Sequence, residues 1–151
     1  MYFVDRRKIK EILDYLDRLL GLFEKGQWNT DINQLALERI TQNVIESMID
    51  VGNQMIDGFI MRDPGGYEDV IDILEDESVL PHEEAEPIRN VVGLRKMLVQ
   101  HYTAVNHDRL KQTLSDAISP LKHFSGRISD YIEKELGPVS AFSPDQPGNN
   151  K

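Results

Sequence analysis

One guanidinium and two imidazoles that could act together on a phosphate ester lie close together in the sequence, at Arg95, His101 and His107. An imidazole titrates near neutral pH, so it can accept the proton of an RNA 2′-hydroxyl. A guanidinium can stabilise the negative charge that develops around the phosphorus atom. We therefore take Arg95 and His101 as a candidate catalytic pair for RNA cleavage without a metal, and His107 as a supporting imidazole.

Three further polar side chains belong to the same segment. Lys96 follows Arg95, and Gln100 and Tyr102 flank His101. A glutamine donates and accepts hydrogen bonds but cannot act as a general base near neutral pH. Lys96 and Gln100 are therefore candidates for supporting contacts rather than for proton transfer.

Arg95 is predicted to lie in the middle of an apolar helix face. At about 100° per residue, six residues fall within about 60° of it on a helical wheel: Ile88, Val91, Val92, Leu98, Val99 and Tyr102. An unpaired cation on such a face is costly, so Arg95 needs a counter-ion or a place at an interface. A buried structural ion pair and a functional anion site are both consistent with this position.

Asp50 is the predicted counter-ion of Arg95, because it interrupts the apolar stripe of the preceding long helix. Asn53 lies one turn further along the same helix face. These two side chains could point into a polar pocket between helices, or they could face solvent. Asp50 and Asn53 are therefore candidates to support the Arg95 site, with simple exposure as the alternative.

Gln100 and His101 fall well away from the Arg95 face in a straight helix. They could join Arg95 in one site only if the helix ends near them, or if a second chain brings its own copy close. We expect a homodimer, because the face that carries Arg95 also needs something to cover it.

The charge of the chain is unevenly distributed. The net charge is -9, with 26 acidic residues against 17 Lys and Arg residues, which argues against broad binding to nucleic acids or membrane surfaces. Between Ile88 and Lys111, however, five basic residues stand against Asp108 alone. This basic window could face a polyanion such as RNA, or it could balance the acidic run from Asp63 to Glu86.

Several kinds of chemistry are excluded by what the sequence lacks. The absence of cysteine rules out disulfides, thiolate catalysis and zinc–thiolate sites. None of the four histidines follows a glutamate by three residues, the spacing that a di-metal helical bundle needs. The turn Asp63-Pro-Gly-Gly-Tyr lacks the lysine of a phosphate-binding loop. We therefore expect neither a metal nor another cofactor.

Apolar periodicity predicts an all-α protein with one domain over residues 1–138. We expect an antiparallel bundle of four long helices and one short helix, followed by a disordered tail over 139–151. The predicted long helices cover about 5–24, 32–60, 80–102 and 106–136, with a kink at Pro120 in the last. Leu35 is assigned to the buried stripe of the second helix, and Gly52 is expected to let another helix approach closely.

The sequence contains no candidate membrane segment, because no apolar run approaches the length of a bilayer span. Basic residues at Arg6 to Lys8 follow a short apolar start. This order is the reverse of a secretory signal, so we expect a cytoplasmic protein.

The segment Val92-Gly-Leu-Arg-Lys-Met-Leu-Val-Gln-His-Tyr102, followed by Val105, resembles the signature of the HepT-like proteins in the HEPN superfamily. That signature is typically an Arg-Asn pair, two or three apolar residues, His, any residue and Tyr. Residues 35–40, 50–56 and 64–69 are also similar to stretches of this family. The resemblance extends from about residue 5 to about residue 135.

The resemblance implies a dimeric helical bundle that acts as a ribonuclease toxin. It also implies a partner, a small nucleotidyltransferase antitoxin that neutralises the toxin by adding AMP to the tyrosine of the motif. Carried over by position, the arginine is Arg95 and the modified tyrosine is Tyr102.

The sequence departs from this signature at two positions. Lys96 stands where Asn is usual and Gln100 where His is usual, and His101 lies one residue later, about 100° away on a helix. Three hypotheses follow. An active enzyme would use His101 or His107 instead, a degenerate member would bind RNA or protein as a dimer without cleavage, and a plain bundle would keep Arg95 as a structural ion pair.

Overall fold

The computed structural model describes residues 3–137 of the chain, and the tail predicted over 139–151 lies outside them. The described residues form helices and connecting turns without a strand. The seven helices are α1 (Arg6–Lys25), α2 (Asp31–Gly58), α3 (Tyr67–Asp76), α4 (His82–Val92), α5 (Arg95–Gln100), α6 (His107–Asp116) and α7 (Ile118–Leu136). The all-α prediction is confirmed.

The long helices run antiparallel, as specific contacts at their two ends show. Phe3 donates its backbone N–H to Gly58, and Asn43 donates to the Tyr15 hydroxyl, so α1 and α2 run in opposite directions. In the same way Arg6 donates to the carbonyl of Gly137 while Lys122 pairs with Glu24. α1 therefore lies between α2 and α7 in the bundle.

Helix α1 begins and ends close to its predicted bounds. Asp5 is the N-cap, and its carboxylate accepts a hydrogen bond from the backbone N–H of Lys8. The apolar stripe of the helix is buried, apart from the partly buried Ile12: Ile9, Leu13, Leu16, Leu19, Leu20 and Phe23. Burial of this stripe anchors α1 in the common core.

Gly52 marks the place where α2 and α3 approach closely, as expected from the sequence. A Cβ atom at this position would overlap Cγ1 of Val70, the fourth residue of α3. The missing side chain therefore lets α3 pack directly on the α2 backbone.

The helix predicted over 80–102 is interrupted. α4 ends at Val92, Gly93 and Leu94 form a turn, and α5 restarts at Arg95 and stops at Gln100. Glycine is a poor helix former, and here it allows the axis to change direction. Tyr102 was expected on the apolar face around Arg95. It is 68% exposed instead, because α5 ends before it.

The helix predicted over 106–136 is also two helices, which meet at Ala117 rather than kinking at Pro120. Proline has no backbone N–H and clashes with the carbonyl four residues earlier, here that of Asp116. The chain resolves this conflict by ending α6 at Asp116. Pro120 then falls in the first turn of α7, where proline is tolerated.

With α4–α5 and α6–α7 each counted as one interrupted helix, the prediction of four long helices and one short helix agrees with the structure. One assignment to the core was wrong. Leu35 is 63% exposed, since it lies on the early part of α2, before the core begins at Leu37. Within residues 3–137, no helix is both long enough and apolar enough to cross a membrane.

Candidate functional site

Arg95 lies at the first position of α5 and reaches across to α2. Its Nε donates to Oε1 of Glu46 at 2.9 Å, and its side chain is 25% exposed. The prediction that Asp50 is the counter-ion was therefore wrong. Glu46 and Asp50 lie one turn apart in the same row of α2, and the axial position of α5 selects the earlier one.

Asp50 and Asn53 are placed on the exposed side of α2, beyond the Arg95 contact. The protein around the Asp50 carboxyl still desolvates it in part, which raises its pKa, and the negative charge of Glu46 adds to this effect. Neither residue makes a described side-chain contact with Arg95, so the structure does not bring them into the site.

The ring of Tyr67 forms one wall of the Arg95 site. The guanidinium carbon Cζ lies 4.0 Å from the centroid of this ring, a cation–π contact. Tyr67 is the first residue of α3. Local periodicity gives Tyr67 no role in a site, because it cannot show that the start of α3 meets the start of α5.

A second polar pair lies nearer the start of α2. Nε2 of His107 lies 2.7 Å from Oε2 of Glu38, and both side chains are mostly buried. A carboxylate bound to one ring nitrogen orients an imidazole and fixes which nitrogen carries the proton. Glu38 had no predicted role, and the pairing could be found only once α6 was placed against α2.

Arg95 and His107 are thus both held by α2, but at different heights. Glu38 and Glu46 are separated by eight residues, or about 12 Å along the helix axis. α5 and the turn after it cover the distance between the two pairs. Within one chain, the Arg95–Glu46 pair and the His107–Glu38 pair therefore lie at two separate positions along α2.

His101 lies at the point where α5 ends. Its backbone angles, φ -111° and ψ 43°, leave the helical region, and its side chain is exposed together with those of Gln100 and Tyr102. A helix end near these residues was one of the two conditions under which His101 could join Arg95. The structure meets this condition, and Lys96 lies exposed beside Arg95.

A polar cleft of about 430 Å³ opens beside the turn that precedes Arg95. Gly93 and Asn90 line one side of it, and Arg109 and Thr113 of α6 line another. Arg109 belongs to the basic window, but the carboxylates of Glu68 and Asp116 line the same cleft, so its lining has more negative than positive charge. Such a lining does not favour an anionic ligand, so this cleft is not assigned to RNA binding.

Metal ligands are not clustered in the described part of the chain. No group of three or more His, Asp and Glu side chains there could hold a metal ion.

The family model for ribonuclease HepT-like proteins matches residues 9–128, which is most of the chain. The chain belongs to the ribonuclease HepT-like family. The resemblance found in the segment from Val92 to Tyr102 is thereby confirmed, and the match includes Arg95, His101 and His107.

One relative of this HepT-like chain is YutE of Bacillus subtilis, named as a candidate RNase. The two are 46% identical over 143 residues, which cover 94% of this chain and 99% of YutE. A solved structure of YutE, described as a cytosolic protein of unknown function, matches with a TM-score of 0.90 and 45% identity. It covers 94% of this chain and all of that one.

Two more distant solved structures share the fold of the HepT-like chain. One, a toxin–antitoxin with AMP-PNP, has a TM-score of 0.69 at 17% identity and covers 80% of this chain and 96% of its own. The other is a tri-AMPylated Shewanella oneidensis HEPN toxin in complex with MNT antitoxin, with a TM-score of 0.62 at 18% identity. It covers 81% of this chain and 91% of its own.

Proposed function

We propose that this HepT-like protein is a metal-independent endoribonuclease of the toxin type, with Arg95 and His101 as its catalytic pair. The observation that carries the proposal is that the terminal nitrogens of the Arg95 guanidinium are not used within the described part of the protein. Among the described residues its hydrogen bonding uses Nε alone, so both terminal nitrogens remain available to an anion. A guanidinium held in this way binds a phosphate with two parallel hydrogen bonds.

The proposed reaction uses only groups of the protein and the RNA. His101 accepts the proton of a ribose 2′-hydroxyl while the 2′-oxygen attacks phosphorus. The bond from phosphorus to the 5′-oxygen breaks, and the imidazolium returns its proton to that leaving oxygen. The products are a 2′,3′-cyclic phosphate and a 5′-hydroxyl, and Arg95 stabilises the charge on the phosphorus group in between.

A homodimer is part of this proposal. His101 is the C-cap of α5, six residues after Arg95, and no described side-chain contact joins the two residues within one chain. A second copy could supply the missing partner. Three exposed apolar residues on the contacting helices α2 and α5 support such an interface: Ile32, Leu35 and Val99.

Cleavage of RNA in the presence of EDTA tests the catalytic pair. We expect wild-type protein to cleave, and Arg95→Ala and His101→Ala each to lose about 10²- to 10⁴-fold in rate. His107→Ala is the matched comparison, since it removes an imidazole that the structure ties to Glu38. Cleavage that survives the first two changes, or that requires added metal, would refute the proposal.

We further propose that a nucleotidyltransferase antitoxin neutralises this protein by adding AMP to Tyr102. The exposure of Tyr102 supports this, since a transferase must reach the phenolic oxygen. The AMPylated HEPN toxin that shares the fold gives the same chemistry a precedent. The test is the intact mass of the protein after incubation with such an enzyme and ATP, and Tyr102→Phe should abolish the gain of AMP.

A second candidate function follows from one residue. Gln100 occupies the place two residues before Tyr102, where the family signature has histidine. On this alternative the protein is a dimer that binds RNA or a protein partner without cleaving. It predicts no cleavage by wild-type protein and new ribonuclease activity in Gln100→His.

We also propose a cytoplasmic location. It is supported by the description of the YutE structure as cytosolic. Fractionation of cells that produce the tagged protein tests this, and recovery with the membrane fraction would contradict it.

A further inference from the structure

We propose that Glu46 and Tyr67 are positioning residues that aim the guanidinium of Arg95 at an RNA phosphate. This inference rests on the proposed function, because it assigns a task to the surroundings of the same arginine. Neither side chain has to touch the reacting atoms. Their role would be to restrict the directions in which Arg95 can donate its remaining hydrogen bonds.

The two contacts restrain different parts of the guanidinium. Glu46 accepts from Nε at 2.9 Å, which fixes one edge of the planar group. The Tyr67 ring, 4.0 Å from Cζ, covers one of its two faces. What remains is the opposite face and the edge formed by Nη1 and Nη2, which is the edge that binds a phosphate bidentately.

The charges of the pair indicate that Glu46 orients Arg95 and does not prevent it from binding a phosphate. Pairing with Glu46 leaves the positive charge of the Arg95 guanidinium in place. The Glu46 side chain is 35% exposed, which means that water screens its charge in part. Donors that are already oriented before the reaction stabilise a transition state without further reorganisation.

Tyr67 is itself held in place by a clamp at the start of α3. Asp69 accepts hydrogen bonds from both terminal nitrogens of Arg62, at 2.8 and 2.9 Å, and from the backbone N–H of Gly65 at 2.7 Å. The close packing of Val70 on Gly52 fixes the same end of α3 against α2. Tyr67 therefore stands on a rigid support rather than on a loose loop.

Enzyme kinetics on a short defined RNA tests the inference. We expect Glu46→Gln and Tyr67→Leu each to lower kcat about tenfold, with KM changed by less than about twofold, because a misaimed donor still binds but stabilises the transition state poorly. Tyr67→Phe keeps the ring and should retain wild-type rates. Asp57→Asn, at an exposed carboxylate elsewhere on α2, is the matched control.

A direct readout that needs no turnover is the NMR resonance of the Arg95 Nε–H. We expect the Arg95 Nε–H group to be rigid in wild-type protein and to become mobile in Tyr67→Leu. Its resonance should shift when a non-cleavable 2′-O-methyl RNA is added. Thermal unfolding of each variant shows whether the fold is intact. A mobile Nε–H in wild-type protein, or no shift with this RNA, would overturn the inference.

The outcomes separate this inference from the proposed function. If Arg95→Ala cleaves like wild type, the proposed function is wrong. If Arg95→Ala is inactive while Glu46→Gln and Tyr67→Leu keep full kcat, only the positioning role is wrong. A rise in kcat or a fall in KM for Glu46→Gln would show that Glu46 competes with RNA for Arg95, which also overturns the inference.

Discussion

Arg127 donates two hydrogen bonds to the carboxylate of Glu84, from Nε at 2.9 Å and from Nη2 at 2.8 Å. Nδ1 of His123 lies 2.8 Å from the same carboxylate. One nearly buried carboxylate of α4 is thus shared by two residues of α7. The hydrogen bond from Arg127, followed by that with His123, holds the pKa of Glu84 below its usual value.

Glu84→Gln should lower the free energy of unfolding near neutral pH by about 1–3 kcal/mol. The low end is favoured because the Arg127 side chain is 41% exposed and water screens the pair. A lowered folded-state pKa gives stability that is present above the unfolded pKa and lost as pH falls through the folded value. Urea unfolding below about pH 4 should therefore show a smaller difference.

The neighbouring exposed Glu83→Gln is the control for Glu84→Gln, and its effect should be close to zero at every pH. A difference between wild type and Glu84→Gln that stays constant down to strongly acidic pH would contradict the assigned role of the carboxylate.

Gly52→Ala should destabilise the protein by about 1–3 kcal/mol, because the added Cβ overlaps Val70 and α3 must move away from α2. Gly126→Ala is the matched control, since Gly126 lies within α7 with no atom near the position of a Cβ. That change should stabilise by about 0.5–1 kcal/mol through helix propensity. Calorimetry that ranks the two variants in the opposite order would disprove this explanation of Gly52.

Leu35→Glu should convert the proposed dimer into a monomer. A substitution in a two-fold interface enters it twice, once from each chain, so the cost of burying two carboxylates adds to the loss of apolar contact. Sedimentation should give twice the chain mass of 17.3 kDa for wild type and a single chain mass for the variant. Leu22→Glu on α1 serves as the control, and a monomeric wild type would refute the dimer.

Asp69 should titrate in strong acid. Hydrogen bonds from Arg62 and from the backbone N–H of Gly65 lower its pKa to about 2. In Arg62→Met we expect the pKa to rise towards its ordinary value of about 3.9. Carboxyl-carbon NMR follows this directly, and an unchanged titration in the variant would show that Arg62 does not hold the clamp.

Arg95→Met should leave stability nearly unchanged or slightly higher while abolishing cleavage. An apolar side chain of similar length replaces a partly buried ion pair, and such replacements are often neutral or stabilising. Glu46 is exposed enough to be hydrated once it is unpaired. Cleavage at the wild-type rate by a folded Arg95→Met would instead favour the hypothesis that Arg95 is only a structural ion pair.

The helical fold could be predicted well from the sequence because helix formation depends on residues three and four apart. The stripe of α1, its cap at Asp5 and the role of Gly52 all follow from such local spacing. The same periodicity predicted continuous helices across Gly93 and Ala117, where the structure has a helix end followed by a new helix. An interruption of one or two residues hardly changes the spacing of apolar residues, so only the packing of neighbouring helices reveals where a helix is interrupted.

The location of the candidate site was also indicated by the sequence, since Arg95, His101 and Tyr102 lie within eight residues, in a segment that resembles a family signature. What the sequence could not supply was the partner of each side chain. Glu46 and Asp50 lie on the same side of a helical wheel, so the sequence does not say which one pairs with Arg95. Nothing in the sequence around Glu38 indicates that it pairs with His107.

The sequence by itself determined the helices, the basic window and the arginine at its centre, because these depend on residue type and spacing along one chain. The tertiary structure alone decided that Arg95 lies between Glu46 and Tyr67 and that Tyr102 is exposed. The physical reason is that the axial offset between packed helices is fixed by contacts distant in sequence. Two carboxylates one turn apart can be distinguished only by that offset.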